Sequence, residues 1–524
     1  MAPTHHWRSI PAEVFARCDR FGPNEAVVDG YTRWTFTELA DRARRAAAAM
    51  IANGVEPGDR VAIWAPNSGE WVVAALGLQA AGATLVPINT RFKGPEAAPL
   101  LARTGARLLF TVTGFLDIDP VAMLASSGVD LPALTDVVLL DGDVPSGARS
   151  WDAFLADGDT IDPALVEDRI SALGPDDVCD IMFTSGTTGT PKGVMMAHGQ
   201  TLELFSDWCD FADLREGDRY LIVNPFFHMF GYKAGWLACL LRGATILPVP
   251  VFDTERVLEL IETERVTVFP GAPTIYQTLL DHPGLGARDL GSLRVAVTGA
   301  ADVPVELIRR MHDELPFERV LTGYGLTEAG TCTGTRPDDD PETIATTAGR
   351  AMVDVEVAVV DPDGREVDRG ETGEVVIRGA NVMRGYLDDP QATAAAIDAE
   401  GWLHTGDLAT MDDRGYVRIV GRLKDMFIVG GFNAYPAEIE NALLEHDDVA
   451  RAAVIGLPDQ RLGEVGGAFV VLEPGAVLDQ EAFLAWCRQR MANYKVPRQV
   501  HVVDEIPMNA TGKVMKDELR ARVI

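Results

Sequence analysis

Residues 76–89, LGLQAAGATLVPIN, return at 237–250 as LACLLRGATILPVP. Each copy runs from an apolar segment of helical character through Gly-Ala-Thr into a short strand that ends in proline. Helix, glycine and strand in succession are common in α/β chains, so chance agreement is one reading; a duplicated α/β unit in the first half of the chain is the other. The apolar run holding the first copy, Trp71 to Pro87, contains Gly77, Gln79 and Gly82 and stops short of a membrane span. It reads as a buried helix feeding a buried strand.

Outward from this unit, between residues 30 and 330, apolar strands such as RVAIWAP, VTVFPG and LRVAVTGA alternate with helical stretches such as DTERVLELIETER and PVELIRRMHDEL. That is the pattern of parallel sheets covered by helices. Around 353–378 the texture changes, and VEVAVVDPDGREVDRGETGEVVIRG alternates apolar and polar residues about a Pro-Asp-Gly turn, which predicts antiparallel hairpins. After residue 425 or so, roughly one hundred residues return to mixed α and β elements, enough for a small domain. A chain of 524 residues exceeds one ordinary core, so at least two domains are expected.

The formal charge of -32 repels polyanions, which argues against duplex nucleic acid and against stable association with an anionic membrane. Any phosphate site must be locally basic against that background. Only seven of the 46 basic residues are lysine, and three of those, Lys192, Lys424 and Lys513, lie in glycine-containing motifs. The six cysteines are scattered, with no C-x-x-C pair and no histidine at metal-ligand spacing, as in a protein with reduced thiols. The N-terminal stretch MAPTHHWRSIPAEVFARCDR has no apolar signal core, and a cytoplasmic protein is expected.

FTSGTTGTPKG, residues 183–193, gathers hydroxyls, glycines and one lysine in a form suited to closing around phosphate oxygens. It is not a Walker A sequence, because Lys192 sits between proline and glycine with no hydroxyl residue following it to meet magnesium. Gly186, Gly189 and Gly193 let backbone N–H groups turn toward anionic oxygens; Thr184, Ser185, Thr187 and Thr188 add hydroxyl donors, and Lys192 adds charge. Taken alone, the same stretch is equally an ordinary glycine-rich surface loop. GYGLTEAG, 323–330, follows the strand-like RVLTGY, which puts Thr327 and Glu328 at a strand end, where doubly wound sheets bind ligands. A threonine there can hold a phosphate oxygen and a carboxylate can hold magnesium; in isolation Glu328 is simply a solvated acid. WLHTGD, 402–407, offers Asp407 as an acceptor for a ribose diol.

GRLKDMFIVGGFNAYPAEIE, 421–440, and PMNATGK, 507–513, complete the set. In this order and spacing the motifs resemble the adenylate-forming superfamily of acyl-CoA synthetases, peptide-synthetase adenylation domains and luciferases. The resemblance runs from Asn24 to Val514. It implies an α/β fold in which a large N-terminal domain, 1–422, holds two pseudo-repeated α/β sheets plus a β-barrel subdomain, and a small mobile α+β C-terminal domain, 423–524, follows a hinge near Lys424. It also implies ATP, magnesium and coenzyme A as reactants beside a small-molecule carboxylic acid; monomer and homodimer both stay open.

By that similarity the loop 183–193, with Thr184, Ser185, Gly186, Thr187, Thr188, Gly189 and Lys192, holds the β and γ phosphates of ATP. Tyr324, between Gly323 and Gly325, would lie against the adenine ring, with Gly299, Ala300 and Ala301 near adenine and acyl group. Thr327 would hold the α-phosphate, Glu328 magnesium, and Asp407 with Arg422 the ribose. Lys513 would bridge the substrate carboxylate and the α-phosphate until rotation about Lys424 withdraws it and brings Gly430, Gly431 and Phe432 beside a pantetheine tunnel. NPFFHMFGYKAGW, 224–236, would line the acyl pocket through Phe227, His228 as an aromatic gate, Gly231, Tyr232 and Gly235, with Pro273 from FPGAPTIYQ. By itself His228 is more often a packed core histidine.

These roles suit the chemistry. A carboxylate is already ionised near neutral pH, so its attack on phosphorus needs no general base. It needs relief from repulsion between anions, and a positioned charged donor is worth about 3 kcal/mol in such a site. NPFFHMFGYKAG, FPGAPTIYQTLLDHP and GGFNAYPAEIE resemble most closely the actinobacterial ligases that activate the propanoate side chain of degraded steroid rings. An indane-dione propanoate is thus the implied acid, with medium-chain fatty, alicyclic and aryl acids open. The pocket segments are apolar with many small residues and carry no acid placed to meet an ammonium group, which weighs against an amino-acid substrate. An acyl-adenylating loader of a carrier protein is the rival, separated by dependence on free CoA. The intact set Lys192, Glu328, Asp407 and Lys513 weighs against a silent nucleotide-binding relative. One departure is visible after TTAGR: Val353-Asp354 stands where relatives often carry Pro-Gly, and an altered loop near the hairpins is expected.

Overall fold

A computed structural model describes residues 7–184, 191–299, 303, 305–429, 432–508 and 514–523, with Phe432 and Asn433 described by their backbone alone. The chain packs as two compact units, residues 1–356 with 378–401, and residues 357–377 with 402–524.

The helix expected from the apolar run forms over Gly69–Ala80 and leads into the strand Thr84–Pro87. Every side chain from Trp71 to Ala80 is buried, as an all-round apolar helix requires. Its Gly77 lets it lie against Phe36–Ala52, where an added Cβ would sit 2.6 Å from the Ala46 Cβ. That second helix starts at a capping box made by Thr35 and Glu38.

Two sheets organise the first unit. One runs Gly385–Tyr386, Lys192–Ala197, Val178–Thr184, Thr84–Pro87, Arg60–Trp64, Leu108–Val112, Asp136–Asp141, Arg149–Ser150. The other runs Arg350–Ala351, Gly330–Gly334, Arg319–Leu326, Val295–Gly299, Val268–Pro270, Arg219–Ile222, Thr245–Pro248, Glu25–Asp29, Thr32–Thr35. Both have parallel centres; the first is antiparallel only at the edge formed by Gly385–Tyr386 and Lys192–Ala197, the second at both edges.

The two stretches of the repeat pair alike. Arg60–Trp64 meets Thr84–Pro87 with Arg60 opposite Thr84 and Ile63 opposite Pro87; Arg219–Ile222 meets Thr245–Pro248 with Arg219 opposite Thr245 and Ile222 opposite Pro248. Gly-Asp-Arg leads into each first strand, at 58–60 and 217–219 with the arginine as first strand residue, and its glycine N–H donates to the carbonyl of Gly82 in one copy and Gly243 in the other, at 2.9 and 3.0 Å. Gly82 and Gly243 have φ of +93° and +77°, where glycine is favoured, so the shared Gly-Ala-Thr turn is a backbone requirement. The two segments fold as the same strand–helix–turn–strand unit.

In the second unit the antiparallel elements form a four-stranded sheet ordered Val355–Val360, Gly373–Gly379, Leu403–Met411, Val417–Arg422. The turn 423–425 leads to an α+β body whose sheet runs Phe432–Ala434, Phe427–Val429, Gly463–Leu472, Val449–Asp459, with Gln499–Val502 parallel beside Gly463–Leu472. Alternation along Val449–Asp459 splits its core. Val454 packs on one face with Phe427, Ile439 and Phe483; Ala453, Ile455 and Leu457 pack on the other with Phe469 and Leu519. No described helix is long and apolar enough to cross a membrane. All six cysteines are buried, and none is in a disulfide.

Candidate active site

The phosphate-loop motif springs from a hairpin. Val178–Thr184 pairs antiparallel with Lys192–Ala197, bringing Thr184 opposite Lys192 and Phe183 opposite Gly193. Ser185, Gly186, Thr187, Thr188 and Gly189 lie outside the described residues. The Lys192 ammonium stands 4.7 Å from the centroid of the Tyr386 ring. The Tyr386 hydroxyl donates to Glu328 Oε1 at 3.0 Å, and burial followed by the Glu328 charge pushes its pKa up. One aromatic side chain therefore links the lysine of one motif to the carboxylate of another.

Thr327 and Glu328 occupy the turn between Arg319–Leu326, the last parallel strand of its sheet, and the antiparallel Gly330–Gly334. This is the strand-end position expected for them. The Glu328 carbonyl accepts from the Met383 N–H at 2.8 Å, pinning the turn to the segment that leads to Tyr386. Gly299 and Gly323 face each other on adjacent parallel strands, and a Cβ on Gly299, at φ +153°, would lie 2.9 Å from the Gly323 carbonyl oxygen. A Cβ on Gly325 would come within 2.4 Å of the Gly330 carbonyl oxygen. Only glycine fits these close approaches, and Tyr324 sits between two of them, half-buried. Ala300 and Ala301 lie outside the described residues.

His228 caps the short helix Met229–Gly231, its Nδ1 accepting from the Phe230 N–H at 3.2 Å. His228 and Phe227 keep partial exposure, whereas Gly231, Tyr232, Gly235 and Pro273 are buried. Tyr232, expected to line the pocket, is held inside the core. Its ring has no exposed surface, it stacks on Trp236 at 4.8 Å, and its hydroxyl accepts from Gln79 Nε2 at 2.9 Å. A phenol so engaged supports the segment from within the core.

In the second unit Asp407 and Arg422 are opposite residues of paired strands, joined by a 2.9 Å ion pair between Asp407 Oδ1 and Arg422 Nε. Glu374 holds the strand backbone just before Asp407. It takes the Gly406 N–H at 2.9 Å on one oxygen and His404 Nδ1 at 2.8 Å on the other. Lys424 is exposed in the turn 423–425, where Leu423 N–H donates to the Gly406 carbonyl at 2.8 Å. The backbone of Phe432 opens the strand Phe432–Ala434; Gly430, Gly431 and Lys513 lie outside the described residues. Lys495 is ion-paired with Glu438.

Tyr386 escaped the sequence reading. Its signal was weak: a tyrosine after glycine in NVMRGYLDD, whose partners lie 58 positions upstream at Glu328 and at Lys192.

The family model described as AMP-binding enzyme matches residues 14–387, and that of the AMP-binding enzyme C-terminal domain matches residues 438–513. The chain is an AMP-binding enzyme. It is 53% identical over 515 residues, 98% of each chain, to a 3-[(3aS,4S,7aS)-7a-methyl-1,5-dioxo-octahydro-1H-inden-4-yl]propanoyl:CoA ligase of Rhodococcus jostii. It is 52% identical over 514 residues, again 98% of each, to the ligase of the same name from Mycobacterium tuberculosis. Among solved structures, the anthranilate CoA ligase AuaEII in complex with anthranoyl-AMP superposes with a TM-score of 0.88 at 28% identity, covering 99% of this chain and 98% of that one. Within the AMP-binding enzymes the chain thus belongs with the acyl-CoA ligases, acid–thiol ligases that form AMP, and the expected fold and reaction class hold.

Proposed function

We propose that the chain joins a steroid-derived bicyclic propanoate, an indane-dione carrying a propanoate arm, to coenzyme A. The identity of 53% to the Rhodococcus jostii ligase along nearly the whole length carries this reading. In the first step a carboxylate oxygen attacks the α-phosphorus of ATP and pyrophosphate leaves. In the second the thiol of CoA attacks the acyl carbonyl, loses its proton, and AMP leaves.

Thr184, Lys192 and the loop between them hold the β and γ phosphates, Thr327 the α-phosphate, and Tyr324 with Gly299 and Gly323 the adenine. Asp407 and Arg422 hold the ribose, and Lys513 bridges the two reacting anions. Glu328 fits a magnesium ion: it is an oxygen donor at a strand end, its carboxylate oriented by the Tyr386 hydroxyl, and a hard cation takes few protein ligands when phosphates supply the rest. Magnesium bound there with ATP would neutralise phosphate charge. The exposed turn at Lys424 supports a hinge between an adenylation domain, 1–422, and a mobile domain, 423–524. The working compartment is the cytoplasm.

A feruloyl-CoA synthase of an Amycolatopsis species, 40% identical over 501 residues, supports aryl acids as the second reading. The test is AMP release by purified protein with ATP and magnesium across bicyclic propanoates, cinnamic acids and straight-chain fatty acids, with and without CoA. CoA-dependent turnover favouring the bicyclic acids is expected. Preference for cinnamic or straight-chain acids overturns the substrate, and acid-dependent pyrophosphate release indifferent to CoA points to a carrier-protein acceptor.

A further inference from the structure

A buried ion pair lies behind the site, between segments that serve different substrates. Lys233 Nζ stands 2.9 Å from Asp180 Oδ2, with side-chain exposures of 2% and 0%. Asp180 sits in mid-strand, four positions before Thr184, on the strand that delivers the phosphate loop. Lys233 sits five positions after His228, in the π-helical turn Tyr232–Leu237 that ends the acyl segment. Such a turn places one more residue per loop than an α-helix and recurs at functional sites.

Neighbours reinforce the geometry. Lys233 donates to Thr201 Oγ1 at 3.3 Å, and the Cys179 thiol donates to Asp180 Oδ2 at 3.1 Å. Gln79 Nε2 bridges the Tyr232 hydroxyl at 2.9 Å and the Cys179 carbonyl at 3.2 Å. His198, its pKa pushed down to about 3 by burial and then by the Lys233 charge, stays neutral and accepts the Ile10 N–H. Nothing in this cluster reaches solvent, so a wholly apolar filling would serve stability as well or better. What charge adds is direction. A slip of the strand by one residue, or a changed phase of the turn, would leave a buried ion unpaired.

We propose that Asp180 and Lys233 are positioning residues that fix the phosphate loop relative to the acid-binding segment, so that the carboxylate meets the α-phosphorus in line. This rests on the adenylation reading above. It separates the half-reactions, because adenylation needs both segments in mutual register, whereas CoA attack on a preformed acyl-adenylate no longer uses the β,γ-phosphate loop.

The experiment compares the parent with the double variant Asp180→Leu/Lys233→Met and with Asp180→Glu, which keeps both charges and moves the carboxylate by one methylene. Thermal melting, acid-dependent ATP–pyrophosphate exchange and thioester formation from supplied acyl-adenylate are measured on each. The double variant is expected to melt near the parent while exchange kcat falls about 30-fold, a size usual for a misplacement near 1 Å. KM for ATP and acid, and thioester formation, should move less than about threefold. Asp180→Glu should show the same split with a loss of about tenfold, and it decides the matter if the double variant does not fold. Parental exchange in a folded variant, or equal loss in both half-reactions, overturns the proposal. A parent that performs neither half-reaction overturns the adenylation reading instead.

Discussion

Tyr386 does two jobs with one side chain: its ring faces the Lys192 ammonium and its hydroxyl orients Glu328. Tyr386→Phe keeps the ring and removes the hydroxyl. A hydrogen bond to a charged group contributes about 1.5–3 kcal/mol, so pyrophosphate exchange should fall about tenfold with a raised magnesium requirement. An unchanged magnesium dependence would detach Tyr386 from Glu328's role. A second residue-scale effect concerns stability. Burial, then the charges of Asp210, Asp354 and Glu203, pushes the Asp207 pKa up to about 6. The unfolded chain releases this proton near the ordinary aspartate value of about 4 while the native protein keeps it to about 6, so stability falls as pH rises through that window. Asp207→Asn should therefore raise Tm above pH 6, with the gain shrinking to nothing below about pH 4; a pH-independent gain would remove ionisation as the cause.

At the scale of elements, the turn Met352–Val355 shows what the departure from Pro-Gly does. Asp354 adopts φ +54°, a left-handed conformation that glycine takes without strain, and Val353 is 64% exposed. Asp354→Gly is expected to stabilise by about 0.5–1 kcal/mol in denaturant melts, since aspartate tolerates this region better than most residues. It also removes one of the charges acting on Asp207, so the pH midpoint in the Tm profile should drop below about 6. A loss of stability would mean that the aspartate makes a compensating contact. Elements as such were legible: the strands RVAIWAP and LRVAVTGA and the helix in DTERVLELIETER form as Arg60–Trp64, Val295–Gly299 and Thr254–Thr263, because period and breakers are local properties. The π-helical turn Tyr232–Leu237 was not, since its phase depends on burying Lys233 against Asp180, a partner 53 positions away.

At the scale of the molecule, the proposed reaction divides catalysis between a fixed domain and a moving one. Lys513→Ala should lower acid-dependent pyrophosphate exchange by about a hundredfold or more, the usual loss for one positioned donor of charge. Thioester formation from supplied acyl-adenylate and CoA should stay within about threefold of the parent, and equal loss in both steps would sink the division of labour. The motifs themselves came from sequence because phosphate chemistry restricts residue types: lysine, threonine and glycine at fixed spacing in a chain with only seven lysines stand out against the background. Sequence also fixed the class of fold through periodicity, and the excess of negative charge through composition. That the two Gly-Ala-Thr stretches pair in the same register, that Tyr386 bridges two motifs, that the Tyr232 ring stacks on Trp236, and that the scarce Lys233 pairs with a buried aspartate were decided by tertiary structure alone. Each of these depends on strand register and on pairs of residues far apart along the chain, and the free energy of burying a group is set by what folding places beside it.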